Sequence, residues 1–107
     1  KRFVKVGGEM ISLPQIENVL LEAFGNRADA PQEGPALAVE AMPEEAGSAI
    51  VLVTPLTLTL PEVNTALRAA GLSSLYAVRR IVRVAAIPLL GSGKTDYRAL
   101  KDSLARA

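Results

Sequence analysis

The apolar positions of the first two dozen residues change period once. Phe3, Val4 and Val6 precede Gly7-Gly8, and Met10 and Ile11 follow it, so "FVKV" and "EMIS" read as two short strands about a glycine turn. From Ile16 onward the spacing becomes helical: Ile16, Val19, Leu20, Ala23 and Phe24 share one face. Ser12 with Gln15 three residues later opens that helix as a capping box, Pro14 suits its first turn, and Gly25-Asn26 stops it. The stretch "NRADAPQEGP", residues 26–35, is a loop.

Two strand patterns come next, "ALAVEAM" and "SAIVLVT", joined across "PEEAG" as an antiparallel pair. Thr59 and Glu62 form a second capping box ahead of an apolar stripe of Val63, Ala66, Leu67 and Ala70, which Gly71 ends. "VRRIVRV" is a third sheet strand, and a last helix, capped by Thr95 or Asp96, turns Tyr97, Leu100 and Leu104 inward. The order ββ-α-ββ-α-β-α predicts an α+β domain: a small N-terminal β-hairpin, then a roughly three-stranded sheet packed with about three helices. The chain has no internal repeat and no low-complexity tract.

Composition narrows the chemistry. A chain of 107 residues is one compact domain, and this one is half hydrophobic with few aromatics. The absence of cysteine and histidine removes disulfides, thiolate nucleophiles, imidazole bases and the usual zinc ligands together, so no metal site is expected. A net charge of +1 with no interleaved aromatics argues against a nucleic-acid binder. No apolar run approaches the roughly 18 residues of a membrane span, and no signal peptide is visible. These features suit a cytoplasmic setting. The opening "KRFVKVGG", without an initiator methionine, reads as a piece of a larger protein. Charge is uneven: residues 28–62 hold six acids and no base, whereas from Tyr76 onward seven bases face two acids. Each end is either a solvated face or, at the basic end, a surface that meets an anion.

The stretch "IPLLGSGKTDYRALK", residues 87–101, is the candidate for chemistry. It is not a Walker loop, because the first glycine of G-x-x-x-x-G-K-[ST] falls on Pro88, which has no N–H to offer a phosphate. Gly91 and Gly93, with Ser92 between them, nevertheless allow close backbone approach to a partner. Lys94 is expected at the entry to a helix, where free amides already favour an anion, with Asp96 in the first turn partly cancelling that field. Spacing alone leaves a second reading open, an ordinary strand-to-helix turn with a solvated lysine.

Two separated stretches, "KRFVKVGGEMISLPQIENVL" and "VAAIPLLGSGKTDYRALK", together resemble the two motifs of the C-terminal domain of the adenylate-forming, AMP-binding enzymes. "GGEMISL" and "PLLGSGKTDY" look closest to the acyl-(acyl carrier protein) synthetase region of bifunctional 2-acylglycerophosphoethanolamine acyltransferases. The resemblance spans essentially the whole chain. It implies a small mobile domain, residues 1–107, that swings over an absent N-terminal domain holding ATP, Mg2+ and the fatty (carboxylic) acid. Lys94 would then be the adenylation lysine. Gly7, Gly8 and Glu9 would line the path of a phosphopantetheine arm of acyl carrier protein or CoA, and Lys1 would be the hinge. For Gly7-Gly8 the residues themselves equally allow a plain hairpin turn. The pattern G-K-x-x-R of many relatives is broken here, since Tyr97 stands at the arginine position with Arg98 beside it. Arg79, Arg80 and Arg83 would meet an acidic carrier protein or, as charged strand residues, simply guard an edge. Alternation puts Arg79 and Arg83 on one face and Arg80 on the other. The resemblance also places the full protein in the cytoplasm, at the inner face of the cell membrane. A non-catalytic, carrier-protein-binding module of the same fold is the alternative function.

Overall fold

The structure, a computed structural model, describes residues 2–44 and 47–106. Strands β1 (Phe3–Val6) and β2 (Glu9–Ser12) form an antiparallel hairpin, with Val6 opposite Glu9 across the turn. Gly7 and Gly8 both take positive φ, 57° and 84°, the combination that a two-residue turn needs to match the strand twist. Helix α1 (Leu13–Phe24) follows at once, with Ser12 as its N-cap accepting from the Gln15 amide at 3.2 Å. Of the expected stripe Ile16 and Leu20 are buried, together with Leu13 one turn earlier, whereas Val19 and Phe24 are half-buried and Ala23 is exposed.

Strands β3 (Ala38–Glu44) and β4 (Gly47–Thr54) pair antiparallel, and β5 (Arg80–Arg83) adds to β4 in parallel, giving the order β3-β4-β5. The parallel pairing needs a crossover, and helix α2 (Leu60–Ala69) supplies it. Thr59 and Glu62 cap α2 reciprocally, the Thr59 amide reaching Glu62 Oε2 at 2.7 Å. Gly71, with φ of 90°, turns the chain out of α2. A short 3-10 turn at Ser74–Tyr76, which no local pattern announces, leads to β5. Helix α3 (Tyr97–Arg106) ends the described chain.

The sheet separates two apolar clusters. Ile50 and Leu52 of β4 face α1, α2 and the hairpin, together with Val39, Ile16, Leu20, Val63 and Leu67. Val51 and Val53 face Ile87 and the Leu100 and Leu104 pair of α3. With helices on both sides, β4 is buried from Ala49 to Thr54, which explains its nearly unbroken apolar run. Each large side chain removed from water here contributes about 1.5–3 kcal/mol before the cost of ordering it. The polar exception, Thr54, is satisfied: its hydroxyl donates to the Ala36 carbonyl at 2.6 Å and accepts from the Leu56 amide at 3.0 Å. No described helix is long and apolar enough to cross a membrane.

Candidate functional site: a lysine hairpin and a glycine turn

The chain from Ile87 to Asp96 does not run from strand straight into helix. Leu89 pairs with Thr95 in an antiparallel bridge, the Leu90 amide donates to the Lys94 carbonyl at 2.7 Å, and the Gly93 amide donates to the Leu90 carbonyl at 2.9 Å. Gly91, Ser92 and Gly93 are therefore a three-residue hairpin loop, with Gly93 in the left-handed region (φ 92°) where such loops need it. This corrects the expected position of Lys94. It leaves the loop on the returning arm of a hairpin, two residues before the helix N-cap, and not on the helix itself. The cap is Asp96, whose carboxylate accepts from the Ala99 amide at 3.0 Å. Asp96 thereby occupies an amide that an anion would otherwise have used, so an anion brought to this loop meets the ammonium and not the helix end.

The tip is built to be open. A Cβ placed on Gly91 or Gly93 would touch nothing within 4 Å, and Lys94 is exposed. The ion pairs among the described residues are Arg2–Glu17 and Arg27–Asp29, so Lys94 has no described acid against it. Leu89 and Leu90 on the outgoing arm are 43% and 47% exposed, apolar neighbours beside the exposed cation.

The glycine turn lies on the other motif. Gly7 is hemmed in, since a Cβ there would come within 3.0 Å of Leu75 Cδ2, whereas a Cβ on Gly8 would meet nothing within 4 Å. Gly7 thus serves turn and packing together, and Gly8 leaves a clear backbone face beside the exposed Glu9. The outer face of the hairpin also shows two exposed apolar side chains, Phe3 and Met10. Among the described residues no hydrogen bond or ion pair joins this turn to the lysine hairpin. Lys1 lies outside the described residues.

The arginines separate differently from the alternation expected. Arg79 and Arg80 together line a groove of about 240 Å³ with Met42, Pro43, Glu44, Ala49 and Val51. Arg83 points elsewhere, its Nε donating to the Pro55 carbonyl at 3.2 Å. Arg79 precedes β5, which begins at Arg80, so strict alternation does not govern it. Its backbone N–H donates a hydrogen bond to the Ile50 carbonyl at 2.8 Å.

A polar cluster escaped the sequence reading. The Tyr97 hydroxyl donates to Glu17 Oε1 at 2.6 Å, and Arg2 lays its guanidinium 3.6 Å from the centre of the Tyr97 ring. Arg2 also pairs with Glu17 at 3.4 Å and donates to the Val39 carbonyl, while Glu17 Oε2 accepts from the Val39 amide at 2.7 Å. Burial first, and the bond to Glu17 second, push the Tyr97 phenol up from its ordinary 10.0 to about 12. The local signal was faint: Glu17 sits one residue beyond a buried helical position, and only tertiary contact makes it 12% exposed. Arg2, Glu40, Tyr97 and Lys101 then line a cleft of about 360 Å³. Among the described residues no group of three or more acids gathers closely enough to hold a metal ion.

No family model matches the chain. Among solved structures it is similar to the amide bond synthetase McbA from Marinactinospora thermotolerans, with a TM-score of 0.75 and 21% identity over 96% of this chain and 20% of that one. It is similar to a fatty acyl CoA synthetase from Mycobacterium tuberculosis, with a TM-score of 0.76 and 17% identity over 98% of this chain and 20% of that one. ATP-bound MatB from Rhodopseudomonas palustris matches with a TM-score of 0.71 and 18% identity over 96% of this chain and 20% of that one. The chain spans about a fifth of the length of each, and at these identities the likeness is one of fold.

Proposed function

We propose that this chain is the small, mobile C-terminal domain of an adenylate-forming acid–thiol ligase, and that Lys94 is its adenylation lysine. The observation that carries the reading is the lysine hairpin: an exposed ammonium on a glycine loop, with no acid against it among the described residues, within a fold shared with larger synthetases. ATP as substrate agrees with the ATP-bound neighbour.

In the first half-reaction a carboxylate oxygen attacks the α-phosphorus of ATP, and the bond to pyrophosphate breaks. Two anions are forced together, and negative charge grows on the phosphorus oxygens. An ammonium carried from outside into that pocket bridges carboxylate and α-phosphate where the charge is greatest. The exposed Leu89 and Leu90 beside it, and Phe3 and Met10 on the hairpin, are the apolar surface that a large neighbouring domain covers when this one docks. In the second half-reaction a thiol sulfur attacks the acyl carbonyl, AMP leaves, and the thiol proton is released. The open backbone face at Gly8 then admits a thin phosphopantetheine arm, with Glu9 at its side.

Among the described residues no acid cluster fits Mg2+; in this reading the metal, ATP and the fatty acid are held by the N-terminal domain. Lys1 is the hinge. The acceptor is acyl carrier protein in preference to CoA, as in the acyl-carrier-protein synthetase part of the bifunctional acyltransferases. The Arg79–Arg80 groove is the contact for an acidic carrier surface, and a cytoplasmic site at the inner face of the membrane goes with that partner. In the full-length protein, Lys94→Ala lowers carboxylate-dependent ATP–pyrophosphate exchange on the order of 10²-fold or more. Unchanged exchange with carrier-protein binding intact would leave the non-catalytic module in its place.

A further inference from the structure

Tyr97 stands where many of the resembling enzymes carry an arginine, and Arg2, from the start of the described chain, lays its guanidinium over the Tyr97 ring. We propose that Arg2, Glu17 and Tyr97 form a latch that makes the chain entry and the lysine hairpin move as one body, so that they are positioning residues for Lys94. The inference rests on the adenylation reading above and adds to it the device that aims the lysine.

The argument is one of connection. Tyr97 is the first residue of α3, and the residue before it, Asp96, closes the base of the hairpin through its amide to the Pro88 carbonyl at 2.9 Å. Lys94 is three residues from Tyr97, so any tilt of the first turn of α3 swings its ammonium. The Tyr97 hydroxyl is tied to α1 through Glu17, and its ring is covered by Arg2. Arg2 immediately follows the proposed hinge residue. It is also bonded to the Val39 carbonyl, and its own carbonyl accepts from the Leu13 amide at 2.9 Å. One carboxylate, Glu17, thus receives the phenol, the guanidinium and the Val39 amide. Rotation about the residue before Arg2 is transmitted to the lysine hairpin without being absorbed inside the domain. Among the described residues Gly7 and Gly8 make no hydrogen bond or ion pair with the side chains of this cluster. The cation also stabilises the ring face electrostatically, and the charged acceptor makes the phenol bond a strong one.

The test uses the full-length protein and Tyr97→Phe, which keeps the ring beneath Arg2 and removes only the hydroxyl. Three quantities are measured: ATP–pyrophosphate exchange, acyl transfer from a supplied acyl-adenylate, and deuterium exchange of the 88–96 peptide. A loosened lysine lowers kcat of exchange about tenfold with KM unchanged, since misplacements near 1 Å are costly in such steps. Acyl transfer stays within about twofold, and the 88–96 peptide exchanges faster while an α2 peptide does not. Arg2→Gln repeats the pattern, and the double variant is little worse than the lower single, because both act through one contact. Equal loss of both half-reactions in step with Tm, or unchanged exchange kinetics despite a lower Tm, would reduce the cluster to a stabilising contact and overturn the proposal. Should the wild-type protein adenylate no carboxylate at all, the proposed function fails separately. Deuterium exchange then decides the latch, which is sunk by an 88–96 peptide indifferent to Tyr97→Phe.

Discussion

Lys94 shows how far a single residue can be read without its surroundings. Two glycines before a lysine and an acid two residues after it are equally good as a helix entry or a hairpin loop, since both need left-handed or open backbone. The register decided between them: the Leu89–Thr95 bridge, with Gly93 at φ 92°, puts Lys94 on the arm of a hairpin, two residues short of the Asp96 cap. Thr54 is the converse case, a residue whose identity looked like part of an apolar run and whose role is polar. Its hydroxyl serves the Ala36 carbonyl and the Leu56 amide inside a dry core. Thr54→Val keeps the shape and strands both groups, so it costs about 2–3 kcal/mol. Urea unfolding measures this, and a loss below about 0.5 kcal/mol would mean that relaxation or water replaces the bonds.

At the scale of elements, local patterns held for the helices and the two antiparallel strand pairs, and failed for the parallel join of β5 and the hairpin before α3. The α1 and α2 starts were legible in Ser12, Pro14, Thr59 and Glu62 because a cap is a contact between residues three apart. The β5 strand was legible as a strand, but nothing in "VRRIVRV" says that it lies parallel to β4. Its entry is fixed from α2, where Asn64 Nδ2 donates to the Val78 carbonyl at 3.1 Å and Asn64 Oδ1 accepts from the Val78 amide at 2.8 Å. The side chain acts as a one-residue strand, satisfying both backbone groups just before Arg79 and Arg80. Asn64→Leu removes both bonds and costs about 2 kcal/mol. If Arg79 and Arg80 are the carrier-protein contact, it also weakens that binding in the full-length protein, as titration with carrier protein would read. Normal stability in this variant would show that β5 holds its own place.

At the scale of the whole molecule, a sheet lies between two apolar clusters, with a polar seam where Arg2 and Glu17 meet the start of α3. Arg2, Glu17 and Tyr97 lie fifteen and eighty residues apart along the chain and act together only after the fold closes. The phenol gives that seam a signature in pH. Between pH 10 and about 12 the folded chain keeps a Tyr97 proton that the unfolded chain releases, so its contribution is complete below pH 10 and declines as pH rises toward 12. Wild-type Tm therefore falls more steeply than that of Tyr97→Phe as pH rises from 10.0 toward about 12 in matched salt. Parallel curves would show that the hydroxyl is as well solvated in the fold as outside it.

By itself the sequence determined the elements, their order, their caps and the glycine turn, along with the two segments that carry the family likeness. Those are properties of residues a few positions apart, where sterics and the next hydrogen bond leave few choices. The tertiary structure alone decided the parallel partner of β4, the pairing of Arg79 with Arg80, the hairpin beneath Lys94 and the seam at Glu17. Each of these is a contact between distant segments that competes with water until burial removes the competitor, and burial is a property of the closed fold.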